Sequence, residues 1–233
     1  MKYLLYCICQ QGVDEFPPEF PSESPQEFPP APGIRVVKAD DLAAVVSEAE
    51  ELAAAPSVYS LWAFARVVEA VHARQTVIPL RYGCLMESEE QIVRLLEDRR
   101  DEYKALLHQL RGMTEMGIRL LLPANAAPLR NVPESPGAAY LASLRNRYNV
   151  QDTLAPEETE LADRVAGLLA QWSIGQRREI SSSGQGRMLS LYFLIPRSHS
   201  EEFRQRAREI STPPGVKLLL SGPWPPYNFV AVS

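Results

Sequence analysis

The order of apolar patterns over residues 115–221 constrains the fold of this 233-residue chain more than any other feature. A strand pattern (EMGIRLLLP) is followed by a helical pattern, two strands around the polar turn SSGQG, a second helix and a last strand (VKLLL). This β-α-β-β-α-β order is that of a ferredoxin-like sandwich, in which helices cover one face of an antiparallel sheet. We therefore predict an α+β protein whose C-terminal domain is ferredoxin-like.

The spacing of apolar and helix-capping residues predicts individual helices and strands in this C-terminal half. A helix from Pro156 should bury one face, made of Leu161, Val165, Leu168, Leu169 and Trp172. A further helix is predicted over about 137–147. The nearly all-apolar run RMLSLYFLIP indicates a central strand. Ser198 followed by Glu201 predicts a capping box at the start of the last helix, which contains Phe203 and Ala207.

The first half is also α+β, and we predict for it a smaller mixed sheet with two helices. MKYLLYCIC begins the sheet, and IRVVKADDLAAVVSEAE should form a hairpin. A helix over residues 57–74 should face the core through Leu61, Phe64, Val68 and Val71, with Trp62 and Ala65 widening the same stripe. TVIPLRYG is a short apolar run, and Pro79 makes it either an edge strand or the end of a strand. Ser88 and Gln91 form a capping box that opens one long helix ending at Gly112.

The domain boundary is placed near Gly112, which gives an N-terminal domain of residues 1–112 and a C-terminal domain of residues 113–233. A Pro-rich stretch, residues 15–33, interrupts the first domain and repeats Glu-Phe-Pro three times. Proline fixes φ and removes an amide donor, so this stretch should be an extended surface loop. It is either a simple insertion between two strands or a polyproline ligand for a partner domain.

Composition and charge exclude several classes of function. A net charge of −5 and a pI of about 5.4, without a basic cluster, argue against nucleic-acid binding. The three cysteines, Cys7, Cys9 and Cys84, have no paired spacing and should be reduced thiols in a cytoplasm. No run of about 18 apolar residues exists for a spanning helix, so we expect a protein that is soluble or peripheral and does not use a lipid membrane as a partner.

A search for chemistry gives no catalytic, metal-binding or cofactor-binding motif. The three histidines are far apart, and the short GQG at 184–186 lacks the context of a dinucleotide fingerprint. The paired glutamates at 89–90, 157–158 and 201–202 fall in first turns of predicted helices, where they complement the helix dipole. The sequence therefore predicts a binding or assembly protein, with no cofactor, rather than an enzyme.

Four segments together suggest a family. TVIPLRYG (76–83), LRGMTEMGIRL (110–120), GAAYLASLRNRY (137–148) and the closing SGPWPPYNFV (221–230) resemble gas vesicle proteins of the F/L type (GvpF/GvpL). The resemblance runs from the first strand to the last residues. It implies a non-enzymatic accessory or minor structural protein, located in the gas vesicle and the cytoplasm, whose partners are the major shell protein and other accessory gas vesicle proteins. The Pro-rich insertion and Tyr82, where the family should prefer phenylalanine, depart from this pattern.

The candidate partner-binding residues are Trp224, Tyr227, Phe229, Arg81 and Tyr82. Prolines 223, 225 and 226 restrict the backbone around Trp224 and make it a rigid aromatic group. It could fill the end of the second domain's core, with Tyr227 and Phe229 in a terminal edge strand, or it could contact a partner directly. Arg81 could join the two domains through an ion pair with Glu115, or it could recognise a partner.

These observations predict a protein that binds the shell protein and assists vesicle assembly by shielding its apolar surface. A small-molecule-sensing or regulatory ferredoxin-like protein is the alternative, and it would require a concave pocket with converging polar groups.

Overall fold

The computed structural model describes residues 2–12, 33–49, 56–123, 154–183 and 186–230. Most of the Pro-rich stretch, the helix predicted over 137–147 and the centre of the SSGQG turn lie outside the described residues. The described chain has an α+β fold with two antiparallel sheets and five α-helices. Its strands are β1 (Lys2–Gln10), β2 (Arg35–Ala39), β3 (Leu42–Ala49), β4 (Val77–Pro79), β5 (Leu85–Met86), β6 (Met113–Leu122), β7 (Gly175–Ser183), β8 (Gly186–Pro196) and β9 (Lys217–Trp224). Its helices are α1 (Val58–Arg74), α2 (Glu89–Asp98), α3 (Arg100–Gln109), α4 (Pro156–Leu169) and α5 (Ser200–Arg208).

The chain folds into two compact units. The first unit consists of Met1–Glu115 together with Pro223–Ser233, and the second consists of Met116–Gly222. The first division lies close to the predicted boundary. The structure differs from the prediction at the other end of the chain, because the residues from Pro223 onward group with the first unit and not with the second.

The first unit contains a sheet in the order β2-β3-β1-β4, with β5 also paired to β1. Its registered pairs are antiparallel, so the prediction of a mixed sheet is wrong. The predicted hairpin is confirmed as β2 and β3, which turn at Asp40 with a φ of 48°. β4 is an edge strand, as its proline indicated. β1 is almost entirely buried because it lies between two strands and beneath helices, which explains its unbroken apolar run.

This unit contains three described helices rather than two, and it is not the smaller unit. The predicted long helix is divided at Arg99, which has φ −111° and ψ 21° and separates α2 from α3. The helical spacing of apolar residues continues across this division, and the residues on both sides are buried: Ile92, Leu96, Tyr103 and Leu107. The sequence pattern therefore did not indicate the break. Ser88 caps α2 as predicted, since its hydroxyl accepts from the Gln91 amide at 3.4 Å.

Helix α1 packs against the sheet through Phe64, Val67, Val68 and Val71. The prediction that Leu61 and Trp62 face the core is wrong, because both side chains are exposed. Helical spacing identifies apolar positions, but it does not show which neighbouring element covers them.

The second unit is built on a sheet in the order β7-β8-β6-β9, and β8 is central, as predicted. Alternate residues of β6 and β8 meet α4 and α5 in one core, which includes Met116, Phe193 and Phe203. Phe193 and Phe203 pack edge to face, with ring centroids 5.2 Å apart. Arg187 forms an ion pair with Glu158 of α4, and both side chains are mostly buried.

Two predictions for this unit are wrong. Leu168 is exposed although it shares the apolar pattern of α4, because the buried face is narrower and includes Leu161, Val165 and Leu169. Ser198 is not the cap of α5: Arg197–His199 form a 3-10 turn, and α5 begins one residue later without a side-chain cap bond. Among the helices of the described ranges, none combines the length and the hydropathy that a membrane crossing requires.

Candidate partner-binding site

The last described residues, Pro223–Val230, are called here the C-terminal segment. β9 ends at Trp224, and Tyr227–Phe229 form a 3-10 turn. The Tyr227 amide donates to the Pro225 carbonyl oxygen at 2.8 Å, and the Phe229 amide donates to the Pro226 carbonyl oxygen at 3.1 Å. The prediction of a terminal edge strand containing Tyr227 and Phe229 is therefore wrong. Two consecutive prolines remove two amide donors, so a strand ladder cannot continue through them.

A buried carboxylate holds this segment in place. Glu115 is only 4% exposed, near the start of β6. Its Oε2 atom accepts from the backbone amide of Asn228 at 2.8 Å, and its Oε1 atom accepts from Asn228 Nδ2 at 2.7 Å. Burial raises the pKa of Glu115, and the two bonds from Asn228 offset part of that effect. One residue therefore satisfies both oxygens of the carboxylate.

Thr114 makes a second connection beside Glu115. Its hydroxyl donates to the carbonyl oxygen of Trp224 at 2.9 Å and lies 3.4 Å from Nε2 of His72 in α1. Because Thr114 has one hydroxyl proton, the His72 nitrogen must be the donor if both bonds form. These contacts fix the backbone of Trp224 against the first unit without using its indole ring.

The side chains of the C-terminal segment divide between core and solvent. Pro225, Pro226 and Phe229 are buried, and Tyr227 packs against the core cluster that contains Phe64 and Val68. Burial raises the pKa of the Tyr227 hydroxyl, and nearby Cys7, Glu69 and Glu115 raise it further. Trp224 is 42% exposed. It therefore does not fill a core, and of the two interpretations of this residue the structure supports the exposed aromatic group.

The PLRYG residues Arg81 and Tyr82 differ in exposure, and only Tyr82 packs against the core cluster that contains Phe64. Tyr82 is half-buried and meets Phe64 edge to face, with ring centroids 5.4 Å apart, while Phe64 also stacks on Tyr6 at 4.8 Å. Arg81 is exposed in the turn after β4, where the Cys84 amide donates to its carbonyl oxygen at 3.3 Å. Arg81 and Glu115 are both among the described residues, and they do not form the expected ion pair; the hydrogen bonds to the two Glu115 oxygens come from Asn228.

The described residues were searched for metal-binding clusters and for reactive cysteines. They contain no group of three or more metal-ligating side chains. Cys7 and Cys9 are buried free thiols; burial raises the pKa of Cys9 to about 12 and that of Cys7 well above its usual range. A thiolate is the reactive form of cysteine, so neither residue is poised as a nucleophile. The arrangement around Trp224 is suited to binding, because it combines a held backbone with an exposed aromatic ring.

The sequence analysis missed one connection in this site. It did not connect Asn228 with Glu115, although a buried Thr-Glu pair inside the apolar run MTEMGIRLLL indicates that a polar partner must come from elsewhere.

Comparisons with known proteins identify what this chain resembles. The sequence model of the family described as gas vesicle synthesis protein GvpL/GvpF matches residues 2–231. The chain is 25% identical to gas vesicle protein L of Streptomyces sp. (strain CB03234), over 72% of this chain and 67% of that protein. It is 24% identical to gas vesicle protein F of the same strain, over 87% of this chain and 89% of that protein.

Solved structures show the same fold. The crystal structure of the gas vesicle protein GvpF from Anabaena sp. PCC7120 superposes with a TM-score of 0.67 at 19% identity, covering 100% of this chain and 97% of that chain. The structure of GvpF from Microcystis aeruginosa gives a TM-score of 0.67 at 17% identity, covering 98% of each chain.

Proposed function

The chain belongs to the gas vesicle synthesis protein GvpL/GvpF family and has a role in gas vesicle formation; on this premise we propose that it binds the major shell protein and assists vesicle assembly without catalysing a reaction. It acts as an accessory or minor structural protein. Its partners are the major shell protein and other accessory gas vesicle proteins, and it is located in the cytoplasm and at the gas vesicle.

The observation that carries this proposal is the exposure of Trp224 on a segment that is otherwise held tightly. The rest of the segment is anchored through Asn228, the Trp224 carbonyl oxygen and the buried Phe229. A fixed backbone reduces the entropy that the indole loses when a partner covers it. Tryptophan is also enriched among the residues that contribute most to binding.

The charge of the chain fits a carrier of apolar protein. A net charge of −5 keeps the free protein dispersed by self-repulsion while one apolar surface engages a partner. Close to Trp224 in the sequence, Tyr227 packs against the core cluster that contains Phe64, and Phe229 is buried. Tyr82 contacts the same cluster through Phe64. Arg81, which is exposed, is proposed as a separate polar contact to the partner.

We also propose that the second unit is a ferredoxin-like domain. Its elements follow the order β6-α4-β7-β8-α5-β9, and the order of its strands across the sheet, β7-β8-β6-β9, supports this assignment. The helices α4 and α5 meet the same core as the alternate residues of β6 and β8.

Co-purification of the major shell protein tests the proposal. The tagged chain and its Trp224→Ser variant are each co-expressed with the shell protein from the same organism, and captured shell protein is measured per tagged chain. Leu219→Ser is the matched control, because Leu219 is another exposed apolar residue of β9. We expect Trp224→Ser to lower capture by about tenfold, the effect of one strong interface residue, and Leu219→Ser to leave it unchanged.

Two results would contradict the proposal. If the intact chain captures no shell protein, the proposed partner is wrong. If Trp224→Ser and Leu219→Ser capture as much as the intact chain, with circular dichroism showing both folded, Trp224 is not part of the binding surface.

A further inference from the structure

Glu115 is a buried carboxylate whose hydrogen bonds come from the C-terminal segment. It is only 4% exposed, and its two oxygens accept from the backbone amide of Asn228 at 2.8 Å and from Asn228 Nδ2 at 2.7 Å. Within the described ranges, no lysine, arginine or histidine forms an ion pair with it. A carboxylate that has been taken out of water is stabilised only by the donors that reach it. Because Asn228 covers both oxygens, the ionisation of Glu115 is linked to the docking of the segment.

The part of the C-terminal segment that follows Trp224 can detach without breaking a strand ladder. β9 ends at Trp224, and the 3-10 turn Tyr227–Phe229 is closed by bonds to proline carbonyl oxygens of the segment itself. Its connection to β6 is made by the side chain of Glu115. Folded proteins open locally in such terminal elements at a smaller free energy than global unfolding requires. Detachment therefore separates the turn from β6 while the sheet of the first unit keeps its strand pairs.

Protonation of Glu115 favours the docked state. Burial raises its pKa above the ordinary value of 4.5, and the two bonds from Asn228 offset part of that rise. When the segment is open, water reaches the carboxylate and the ordinary value applies. Between the ordinary and the raised pKa, opening releases a proton, so the equilibrium constant for opening increases about tenfold per pH unit. It is constant below the ordinary value, where both states are protonated, and it levels off above the raised pKa.

Other titratable side chains lie around the segment, and their behaviour differs from that of Glu115. Burial raises the pKa of Tyr227, on the segment, and that of Cys7, on β1, so both side chains stay neutral from about pH 4 to 8. Glu69 of α1 is near Tyr227; burial raises its pKa, and an arginine pairs with it at 3.3 Å. His72 of α1 reaches the threonine beside Glu115, and histidine changes its charge near neutral pH. The titrations of Glu69 and His72 must therefore be separated from that of Glu115.

We propose that Glu115 is a positioning residue through which pH controls the docking of the C-terminal segment: a rise in pH loosens the segment while the sheet of the first unit stays folded, and a fall in pH holds it in place. This device goes beyond the proposed function and does not depend on it. Under the proposed function, loosening weakens binding, because the backbone that follows Trp224 is then less restricted and its ordering costs entropy when a partner binds.

Hydrogen exchange of the Asn228 amide measures the opening directly, because this amide donates to Glu115 Oε2. Exchange is followed by NMR from about pH 4 to 8, and each rate is compared with the intrinsic rate of an open chain at the same pH, which gives the protection of the amide. We expect protection to fall about tenfold per pH unit above the ordinary pKa of Glu115 and to level off at the raised one. The Val45 amide, in a strand paired on both sides, should be more protected at every pH, since it exchanges only when the sheet opens.

Substitutions in the full chain identify the group that titrates. Glu115→Gln removes the ionisation, so the protection of the Asn228 amide should no longer change with pH. Glu69→Gln and His72→Gln are the matched controls on α1, and both should retain the fall. Asn228→Ala removes one donor to the carboxylate and raises the pKa of Glu115 further, so the protection of the amide at position 228 should level off at a higher pH. A contact without a role in proton coupling would not move this point.

Three results would overturn the inference. In the first, the protection of the Asn228 amide in the intact chain does not change with pH. In the second, it falls as steeply in Glu115→Gln, or the fall disappears in Glu69→Gln or His72→Gln instead. In the third, Asn228 and Val45 have equal protection, which means that the segment opens only when the whole unit unfolds. These measurements contain no shell protein, so their failure leaves the proposed function standing, and failure of the intact chain to capture shell protein leaves this inference standing.

Discussion

Replacing Asn228 by alanine removes one of the two hydrogen bonds that Asn228 donates to Glu115. The Nδ2 group of Asn228 donates to Glu115 Oε1 at 2.7 Å, and Glu115 is nearly inaccessible to water. A hydrogen bond to a charged group contributes about 1.5–3 kcal/mol, and a buried carboxylate cannot replace the lost donor easily. We therefore expect Asn228→Ala to lower the free energy of unfolding of the first unit by about 2 kcal/mol.

Urea unfolding followed by tryptophan fluorescence measures this loss. The chain has three tryptophans, and only Trp172 lies in the second unit. In a Trp172→Phe background, the fluorescence comes from Trp62 and Trp224 and reports the unfolding of the first unit alone. This matters because two units can unfold in separate transitions, and one two-state fit to both would then be invalid.

Charge neutralisation provides the control. In a Glu115→Gln background the bond to Asn228 becomes neutral, so Asn228→Ala should cost only about 1 kcal/mol. Our reasoning would be refuted if Asn228→Ala changed the free energy of unfolding by less than about 0.5 kcal/mol, or if its cost were the same with glutamate and with glutamine at position 115.

The loss caused by Asn228→Ala should also depend on pH. The pKa of Glu115 is raised in the folded chain above its ordinary value of 4.5, so its contribution to stability is fully present below that value and is lost as pH rises through the folded pKa. Removing a donor to the carboxylate raises the folded pKa further. The difference between Asn228→Ala and the parent should therefore be larger at pH 8 than at pH 4.

Five other substitutions test the interactions that stabilise the second unit. Arg187→Ala breaks an ion pair whose side chains are mostly buried and should cost about 3 kcal/mol, whereas Arg178→Ala, which breaks an exposed pair, should cost less than about 1 kcal/mol in the same urea titration. Gly117→Ala would place a methyl group 2.7 Å from the Ser221 hydroxyl and should lower the midpoint of thermal unfolding, and Ser221→Ala should restore most of the loss. Gly167→Ala, in α4, meets no atom within 4 Å and should instead stabilise the unit by about 0.5–1 kcal/mol.

The sequence predicted those elements whose characteristic residues, such as an apolar run, a helix cap or a turn, lie within a few positions of one another. β1 and β8 were predicted from apolar runs, α2 from the Ser88 cap and the hairpin from its turn residues. The division at Arg99 could not be predicted, because the apolar spacing continues through it without a glycine or proline. Such a break is set by packing on both sides, which a sequence window does not contain.

In the candidate site, too, contacts between residues that are far apart in the sequence could not be predicted from local patterns. The proline string predicted a restricted backbone around Trp224, where the structure has the end of β9 and a 3-10 turn two residues further on. Glu115 and Asn228 are separated by 113 positions, so no local pattern could pair them. Leu61 and Trp62 have the spacing of core residues, and only the position of the sheet relative to α1 shows that they remain exposed.

Vesicle formation in cells tests most directly the claim that assembly depends on the surface around Trp224. Cells that lack this gene are complemented with the intact chain, with Trp224→Ser or with Leu219→Ser at equal protein abundance, and vesicles are counted and measured by electron microscopy. We expect Trp224→Ser to give few or malformed vesicles and Leu219→Ser to give the number and shape seen with the intact chain. Normal vesicles with Trp224→Ser, or with no complementing gene at all, would contradict the claim.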